Sequence, residues 1–505
     1  MESQRVSGHA AGRRSRLAGV PGPAAAQRWM PVSLGLLGFC AAFIGSWIPS
    51  FWDDEIATIS AAGRSPGELL LLLQSVDAVH GLYYLIMHFW TSVFGFSEIS
   101  MRMPSAFAVG LACAGTALIG RKLGSESLGF AAGLVLAVLP RMVWAGTEAR
   151  QSAFTALLAV ALTLLLLRAW ESNRILDWVL YALCAVVGVW MFMFFGLAVA
   201  AHAAAAVILR RRMLATLVAC SAAGACVLPF LIYALGQKAQ VDWIQNRSLL
   251  QNLMTAAAKQ YFDGDDRPTG NMPPQWVLAF VVLLGVVEIA LLAWGLWSAR
   301  HSTALRPLLV LCLAGVAVPV AGLLLVSVVA QPVYVARYLT FTAPAFALLV
   351  GLGISRLPAK HTWLRPMVVA GVICCSLVPQ LTLKSLVNEP ADTERRIAAL
   401  LDQQAPQPAA MVFGEPYLRD MVLAYPERFD GVQDLSLEET PAESGTLWGL
   451  DAPVTAAELS GRGEVLFVGL GNAAPSDLSA FTAAQCRETG NRPFQRLVLI
   501  SFTCS

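Results

Sequence analysis

Apolar runs of about 20 residues recur between residues 30 and 384, each closed by a short polar cluster, and a helix of that length crosses the hydrocarbon core of a bilayer. The pattern predicts about eleven spans, near 30–50, 103–120, 127–141, 151–169, 175–191, 192–209, 214–236, 276–297, 307–330, 338–355 and 366–384. Two connections are longer. Residues 51–102 hold the short apolar stretches Leu69–Leu73 and Leu82–Phe96, which read as amphipathic helices lying in the interface. Residues 237–275 are polar, with Gly, Pro and Asp, and suit a lid or an acceptor platform. After residue 385 the pattern changes. The β-type runs Ala410–Phe413, Glu464–Gly469 and Arg496–Phe502 alternate with helical stretches at Ala391–Gln404 and Ser476–Cys486, which predicts a small α/β domain over 385–505.

Charge gives the helices a direction. Arg121/Lys122, Arg168/Arg174, Arg210–Arg212, Arg300/Arg306 and Arg356/Lys360/Arg365 fall in alternate connections, and the Arg-rich tail 1–28 belongs to the same set. By the positive-inside bias these ends are cytoplasmic, and the tail is expected to be disordered. The acidic groups Asp53-Asp54-Glu55, Glu148 and Asp263/Asp265/Asp266 fall on the other, extracytoplasmic side. The odd span count puts the C-terminal domain outside as well. The expected product is a multi-pass plasma-membrane protein with a catalytic membrane domain over 29–384.

Composition narrows the class. Hydrophobic residues make up 57% of the 505 positions and charged residues 13%, where a soluble domain carries about 25%. A soluble helical protein is excluded, because so many spans cannot all be central in a chain this size. No basic stretch is interleaved with aromatics, so nucleic acid is not an expected partner. Eight of the ten cysteines lie in spans, where cysteine packs as a small apolar residue; Cys486 and Cys504 lie in the outer domain, on an oxidising side where they can pair. No Cys/His spacing marks a structural zinc site.

The candidate chemistry sits at outer span ends. Trp52-Asp53-Asp54-Glu55 follows the first span. Interface anchoring accounts for acidic residues beside a tryptophan, but other polar groups share that surface. They are Asp77, His80, Tyr83 and Tyr84 in the same loop, Thr147-Glu148-Ala149-Arg150 in a later turn, and Arg337-Tyr338 before the tenth span. The segment Arg102-Met103-Pro104-Ser105 lies between them, and Arg337-Tyr338-Leu339 is followed by Pro344.

These segments, in this order, resemble the motif set of the GT-C superfamily of polyprenyl-phosphate-dependent glycosyltransferases. The branch is the one containing protein O-mannosyltransferases and lipid A aminoarabinose transferases, and the texture is most similar to actinobacterial mannosyltransferases. That branch has D-D/E-E after the first helix, then D-x-x-H-P-P-L-Y-Y, R-x-P-S, S-x-E-A-R-x-Y and a late R-Y-L-x-x-x-x-P. The likeness covers about residues 30–384. The chain departs from it at Gly81, which replaces the first proline, and at Gln151-Ser152, where an aromatic is common.

The resemblance implies transfer of a sugar from a polyprenyl-phosphate donor to a glycan, lipid or protein acceptor, with inversion. Mannose is the leading donor, and an arabinofuranosyl or other pentose the alternative. An acceptor hydroxyl needs a carboxylate to take its proton. The resemblance gives that role to Asp53 ahead of Asp54, with Glu55 orienting acceptor or base. The departing lipid phosphate needs cations, and arginine's planar fork suits it. Arg337 and Arg150 are expected there, with His80 as a further phosphate or acceptor contact. Asp77, Tyr83, Tyr84, Glu148 and Tyr338 are expected to line the substrate chamber. No cofactor is required, and no metal ligand is assigned. A transporter or lipid flippase is the rival class, but it places ionisable groups at the midplane on broken helices. A non-catalytic scaffold is the other, and it tolerates loss of the first-loop carboxylates.

Overall fold

A computed structural model describes residues 23–262, 274–358, 361–385, 394–403, 407–471, 478–494 and 496–505. Most of the expected N-terminal tail, the Asp263/Asp265/Asp266 group and residues 386–393 lie outside the described residues.

The membrane part is helical. Its helices are α1 (Pro23–Phe43), α2 (Asp53–Ala62), α3 (Pro66–Ser75), α4 (Gly81–Phe94), α5 (Glu98–Leu123), α6 (Glu126–Val138), α7 (Pro140–Gly146), α8 (Ser152–Ser172), α9 (Ile175–Met191), α10 (Gly196–Leu209), α11 (Met213–Gly236), α12 (Leu249–Lys259), α13 (Gln275–Ala299), α14 (Arg306–Val329), α15 (Ala343–Ser355) and α16 (Leu364–Leu383). Among the described residues, seven helices are long and apolar enough to cross a membrane, and the bent pair α6–α7 makes an eighth. They make the chain a multi-pass membrane protein. The two shorter apolar helices correspond to α9 and α10. Each expected span coincides with a helix, and the stretches expected at the interface are α3 and α4.

Two expected edges move for visible reasons. The first helix ends at Phe43 because the chain turns at Gly45, whose φ of +77° is open to glycine. The span expected at 127–141 breaks by 60° before Pro140, which has no N–H to continue the helix. Arg141 fixes the break, donating to the carbonyls of Gln260 at 3.2 Å and Lys259 at 2.9 Å. Small residues let helices approach closely: a Cβ on Gly110 of α5 would stand 2.8 Å from the Gly35 carbonyl oxygen of α1.

Beyond α17 (Glu394–Asp402) the chain builds a sheet. Its strands are β1 (Ala410–Phe413), β2 (Gln433–Asp434), β3 (Leu437–Glu439), β4 (Leu450–Asp451), β5 (Gly463–Leu470), β6 (Arg487–Pro493) and β7 (Leu497–Cys504), with the short helix α18 (Asp420–Ala424) after β1. Five strands run in the order β2-β1-β5-β7-β6, while β3 and β4 pair separately. Strand β1 is parallel to β2 and β5, and β7 is antiparallel to β5 and β6. Cys486 and Cys504 are disulfide-bonded, with Cα atoms 4.3 Å apart.

One sheet face packs onto α17 and the first loop. Leu466, Val468, Leu499, Met411, Ile397 and Leu401 share one buried cluster with Phe51, Ile56 and Tyr83. Polar ties fix the contact: Ser60 donates to the Leu447 carbonyl at 2.7 Å, and Tyr425 donates to Glu98 at 2.9 Å. The sheet region therefore stands directly over α2.

Candidate active site

The geometry of the acidic triplet follows from where α2 begins. Trp52 is extended, and the helix starts at Asp53, so all three carboxylates lie in its first turn. There they favour the positive end of the helix dipole. Successive helical residues point about 100° apart, so the three side chains face three different neighbours.

Glu55 faces inward and is fully buried. It accepts hydrogen bonds from Arg102 Nε and from the Ala149 N–H, both at 2.7 Å, and its second oxygen pairs with Arg102 Nη2. The rest of the Arg102 guanidinium donates to the carbonyls of Ser46, Pro49 and Ser50. This ion pair ties the segment before α2 to α5 and to the turn carrying Glu148 and Arg150. It leaves Glu55 turned away from the chamber where an acceptor or base was expected to meet it.

Asp54 faces that chamber. Its Oδ2 lies 3.3 Å from Arg337 Nη2 and 4.0 Å from Arg150 Nε. Arg337 also stands 5.4 Å from the Trp52 ring centre, 5.3 Å from Trp243 and 5.8 Å from Tyr338, in a cage suited to a planar cation. Tyr338 is held in turn between Phe192 and Phe194. Trp243 is a contact that no sequence motif marked.

Arg150 is almost fully buried and organises the other wall. Its Nη1 donates to the Asp54 carbonyl at 3.1 Å and to Tyr84 Oη at 3.2 Å, while Nη2 lies 3.1 Å from His80 Nε2. Guanidinium nitrogens only donate, so His80 Nε2 accepts and the ring carries its proton on Nδ1. Burial, with Arg150 and Arg337 adding to it, holds the imidazole well below its ordinary pKa of 6.5. Among the described residues, His80 Nδ1 has no hydrogen-bond partner. Tyr84 donates to Asp77 at 2.6 Å, completing a chain from Asp77 through Tyr84 to Arg150. Burial raises the Asp77 carboxyl, against the pull of Arg150. Asp77 takes up a left-handed backbone (φ 59°), which aspartate tolerates better than most residues. Tyr83 serves packing, with its ring edge-on to Phe154 at 5.7 Å.

Glu148 is 3% exposed, and among the described residues neither of its carboxyl oxygens has a hydrogen-bond partner. Burial pushes it well above the carboxylate range, although Arg337 opposes the shift.

Asp53 faces the sheet region instead. It lies 3.8 Å from Arg496, whose other nitrogen is 3.0 Å from Glu394. Ligand oxygens of Asp53, Glu394 and Asp420 come within 4.8 Å of one another, close enough for a divalent cation, but Arg496 already brings positive charge to that group. Arg496, Glu394 and Asp420 escape sequence reasoning, since only the docking of the sheet brings them to α2.

A family model described as dolichyl-phosphate-mannose-protein mannosyltransferase matches residues 81–233. A comparison with curated protein sequences finds no match. Among solved structures, ArnT from Cupriavidus metallidurans bound to undecaprenyl phosphate superposes with a TM-score of 0.54 at 13% identity, covering 94% of this chain and 98% of that one. The archaeal oligosaccharyltransferase AglB from Archaeoglobus fulgidus, in complex with an inhibitory peptide and a dolichol-phosphate, gives a TM-score of 0.53 at 9% identity, over 88% of this chain and 69% of that one. Across α4 to α11 this chain is similar to the dolichyl-phosphate-mannose-protein mannosyltransferase family, and over most of its length it shares the fold of these membrane proteins.

Proposed function

We propose that the protein transfers a sugar, mannose in the first instance, from a polyprenyl phosphate to an acceptor hydroxyl on the extracytoplasmic face of the plasma membrane. The side follows from the arginine-rich connections at the opposite helix ends. The preference for mannose follows from the description of the matched family.

The observation that carries the reading is Asp54, partly exposed, set against the largely buried Arg337 and Arg150. The arginines suit the donor phosphate, as bidentate partners in a site of low dielectric. Phosphate arriving there competes with Asp54 for Arg337, so donor binding frees the carboxylate. Asp54 then takes the acceptor proton while the acceptor oxygen attacks the anomeric carbon. The bond from that carbon to the phosphate oxygen breaks, its electron pair leaves with the phosphate, and the anomeric centre inverts. The family resemblance favours Asp53 as base, whereas the geometry favours Asp54, because Asp53 faces Arg496 and the sheet. The Nδ1–H of His80 is a donor available to phosphate oxygens, and buried Glu148 lies close to Arg337 and Arg150. Asp77, Tyr84 and Tyr338 shape the walls.

The test is transfer by the protein in nanodiscs from a panel of radiolabelled polyprenyl-phosphate sugars, with donor binding measured in parallel and membrane extract supplying acceptors. Transfer from one donor, lost in a folded Asp54→Asn variant, supports the reading. A folded protein that neither binds nor uses any donor refutes it and moves the weight to a transporter.

A further inference from the structure

We infer that the sheet region carries a saccharide-binding cleft between α17 and the edge strand β6, and that this cleft receives the acceptor glycan. This rests on the transferase reading for the word acceptor, but the cleft itself is argued from its own residues.

The face of the sheet turned toward α17 is aliphatic along most of its rows. Leu497 and Leu499 of β7 and Leu466 and Val468 of β5 are buried on it, covered by Ile397 and Leu401 of α17. The series stops at one row. Leu466 pairs with Ser501, and Ser501 pairs with Gly490 on the neighbouring strand. A hydroxyl and a bare hydrogen stand where the pattern calls for two aliphatic side chains, and a cavity of about 140 Å³ opens there. A cavity of about 150 Å³ takes a benzene-sized ring, so one sugar ring is the right scale.

The rim is polar. Strand β6 carries a bulge between Glu488 and Gly490, so Thr489 is an extra residue without a partner across the ladder. Bulges re-aim side chains at functional edges, and Thr489 lines the cavity. Arg492, opposite Leu499, lines it too. The walls thus offer leucine surface to the C–H face of a sugar, and two hydroxyls and a guanidinium to its oxygens. Strand β6 lies at the sheet edge and is largely exposed, so the cleft opens to the outside.

Its placement points to the acceptor. The strands β6 and β7 form a hairpin whose turn carries Arg496, and Arg496 stands 3.8 Å from Asp53 beside the catalytic chamber. The Cys486–Cys504 disulfide closes the other end of the hairpin. One stapled element therefore lines the cleft and reaches the mouth of the chamber. A glycan held along it is aimed at α2.

The experiment is a calorimetric titration of the full-length protein in nanodiscs with the methyl glycosides of mannobiose and arabinofuranobiose. Wild type, Arg492→Ala and Ser501→Leu are compared. Ser501→Leu restores the aliphatic row, so the fold should tolerate it. Expected is binding of at least one disaccharide, weakened about tenfold or more in Arg492→Ala and Ser501→Leu. No binding of either disaccharide by wild type overturns the cleft, as does binding that survives both cleft variants. Because no donor is present, these outcomes do not depend on transfer. Binding intact with no transfer from any donor sinks the catalytic reading and leaves the cleft standing.

Discussion

Glu55 and Arg102 meet in a buried ion pair, side chains 0% and 2% exposed, that joins the start of α2 to α5. Every Arg102 nitrogen is satisfied, by Glu55 or by the carbonyls of Ser46, Pro49 and Ser50. Removing one partner strands the other charge in the interior, which costs about 3–5 kcal/mol. Glu55→Ala should therefore lower the thermal midpoint in detergent markedly, and Arg102→Ala should do the same. The double variant should lose less than the sum, because neither charge is left alone. If Glu55→Ala abolished transfer while leaving the midpoint unmoved, Glu55 would belong to the chemistry and not to the frame.

The neighbouring pair separates differently. Asp54→Asn should lower the turnover rate by about 10²–10⁴-fold, the range for loss of a general base. It should not weaken donor binding, and the donor should bind more tightly, since Asp54 no longer competes for Arg337 at 3.3 Å. Asp53→Asn should change turnover by less than about tenfold, the scale of one hydrogen bond to a partly exposed charge. Single-turnover rates and donor dissociation constants, measured on both variants, decide between the two aspartates. The reverse ranking would return the base to Asp53.

His80 gives the folded protein a pH dependence with a definite sign. In the folded chamber it stays neutral well below pH 6.5, while in the unfolded chain it takes a proton near that value. The unfolded state thus binds more protons in this window, so stability rises with pH across it. The contribution is present above pH 6.5 and is lost as the pH falls below it. His80→Gln keeps a carbonyl to accept from Arg150 and cannot titrate. The thermal midpoint of wild type should therefore fall more steeply than that of His80→Gln between pH 6.5 and 5, and parallel curves would show that His80 does not carry the effect.

How much of this was legible beforehand depends on the range of the interaction. The spanning helices and the strands β1, β5 and β7 were legible because each is a run of apolar residues, whereas α2 and α12, in the outer connections, were not. Strand β6 was not, because Arg487–Pro493 is polar and exposed and is strand only through its pairing with β7. The break before Pro140 was missed because the apolar run continues through it. At the site, the resemblance brought Asp54, Arg150 and Arg337 to one chamber. It could not tell that Asp53 and Asp54 diverge, since that depends on the helix starting at Asp53 and not one residue later. Arg496 and Glu394 reach α2 only through the docking of the sheet, a contact with no local trace in the sequence.

Arg337 separates charge from shape. It pairs with Asp54 and is ringed by Trp52, Trp243 and Tyr338. Lysine at this position keeps the positive charge but loses the planar fork and the flat contact with three rings. If the site needed only a cation near the phosphate, Arg337→Lys would bind donor as wild type does. The aromatic cage argues for the fork, because it fixes the plane in which two phosphate oxygens can be met at once. Charge-assisted hydrogen bonds contribute about 1.5–3 kcal/mol each, so loss of one should weaken donor binding about 10–100-fold in Arg337→Lys. Arg337→Ala should weaken it further. Trp243→Ala, which removes part of the cage and no charge, should fall between wild type and Arg337→Lys. Dissociation constants for a polyprenyl-phosphate sugar in nanodiscs give the order directly. A lysine variant indistinguishable from wild type would reduce Arg337 to a point charge and leave the cage without a role in binding.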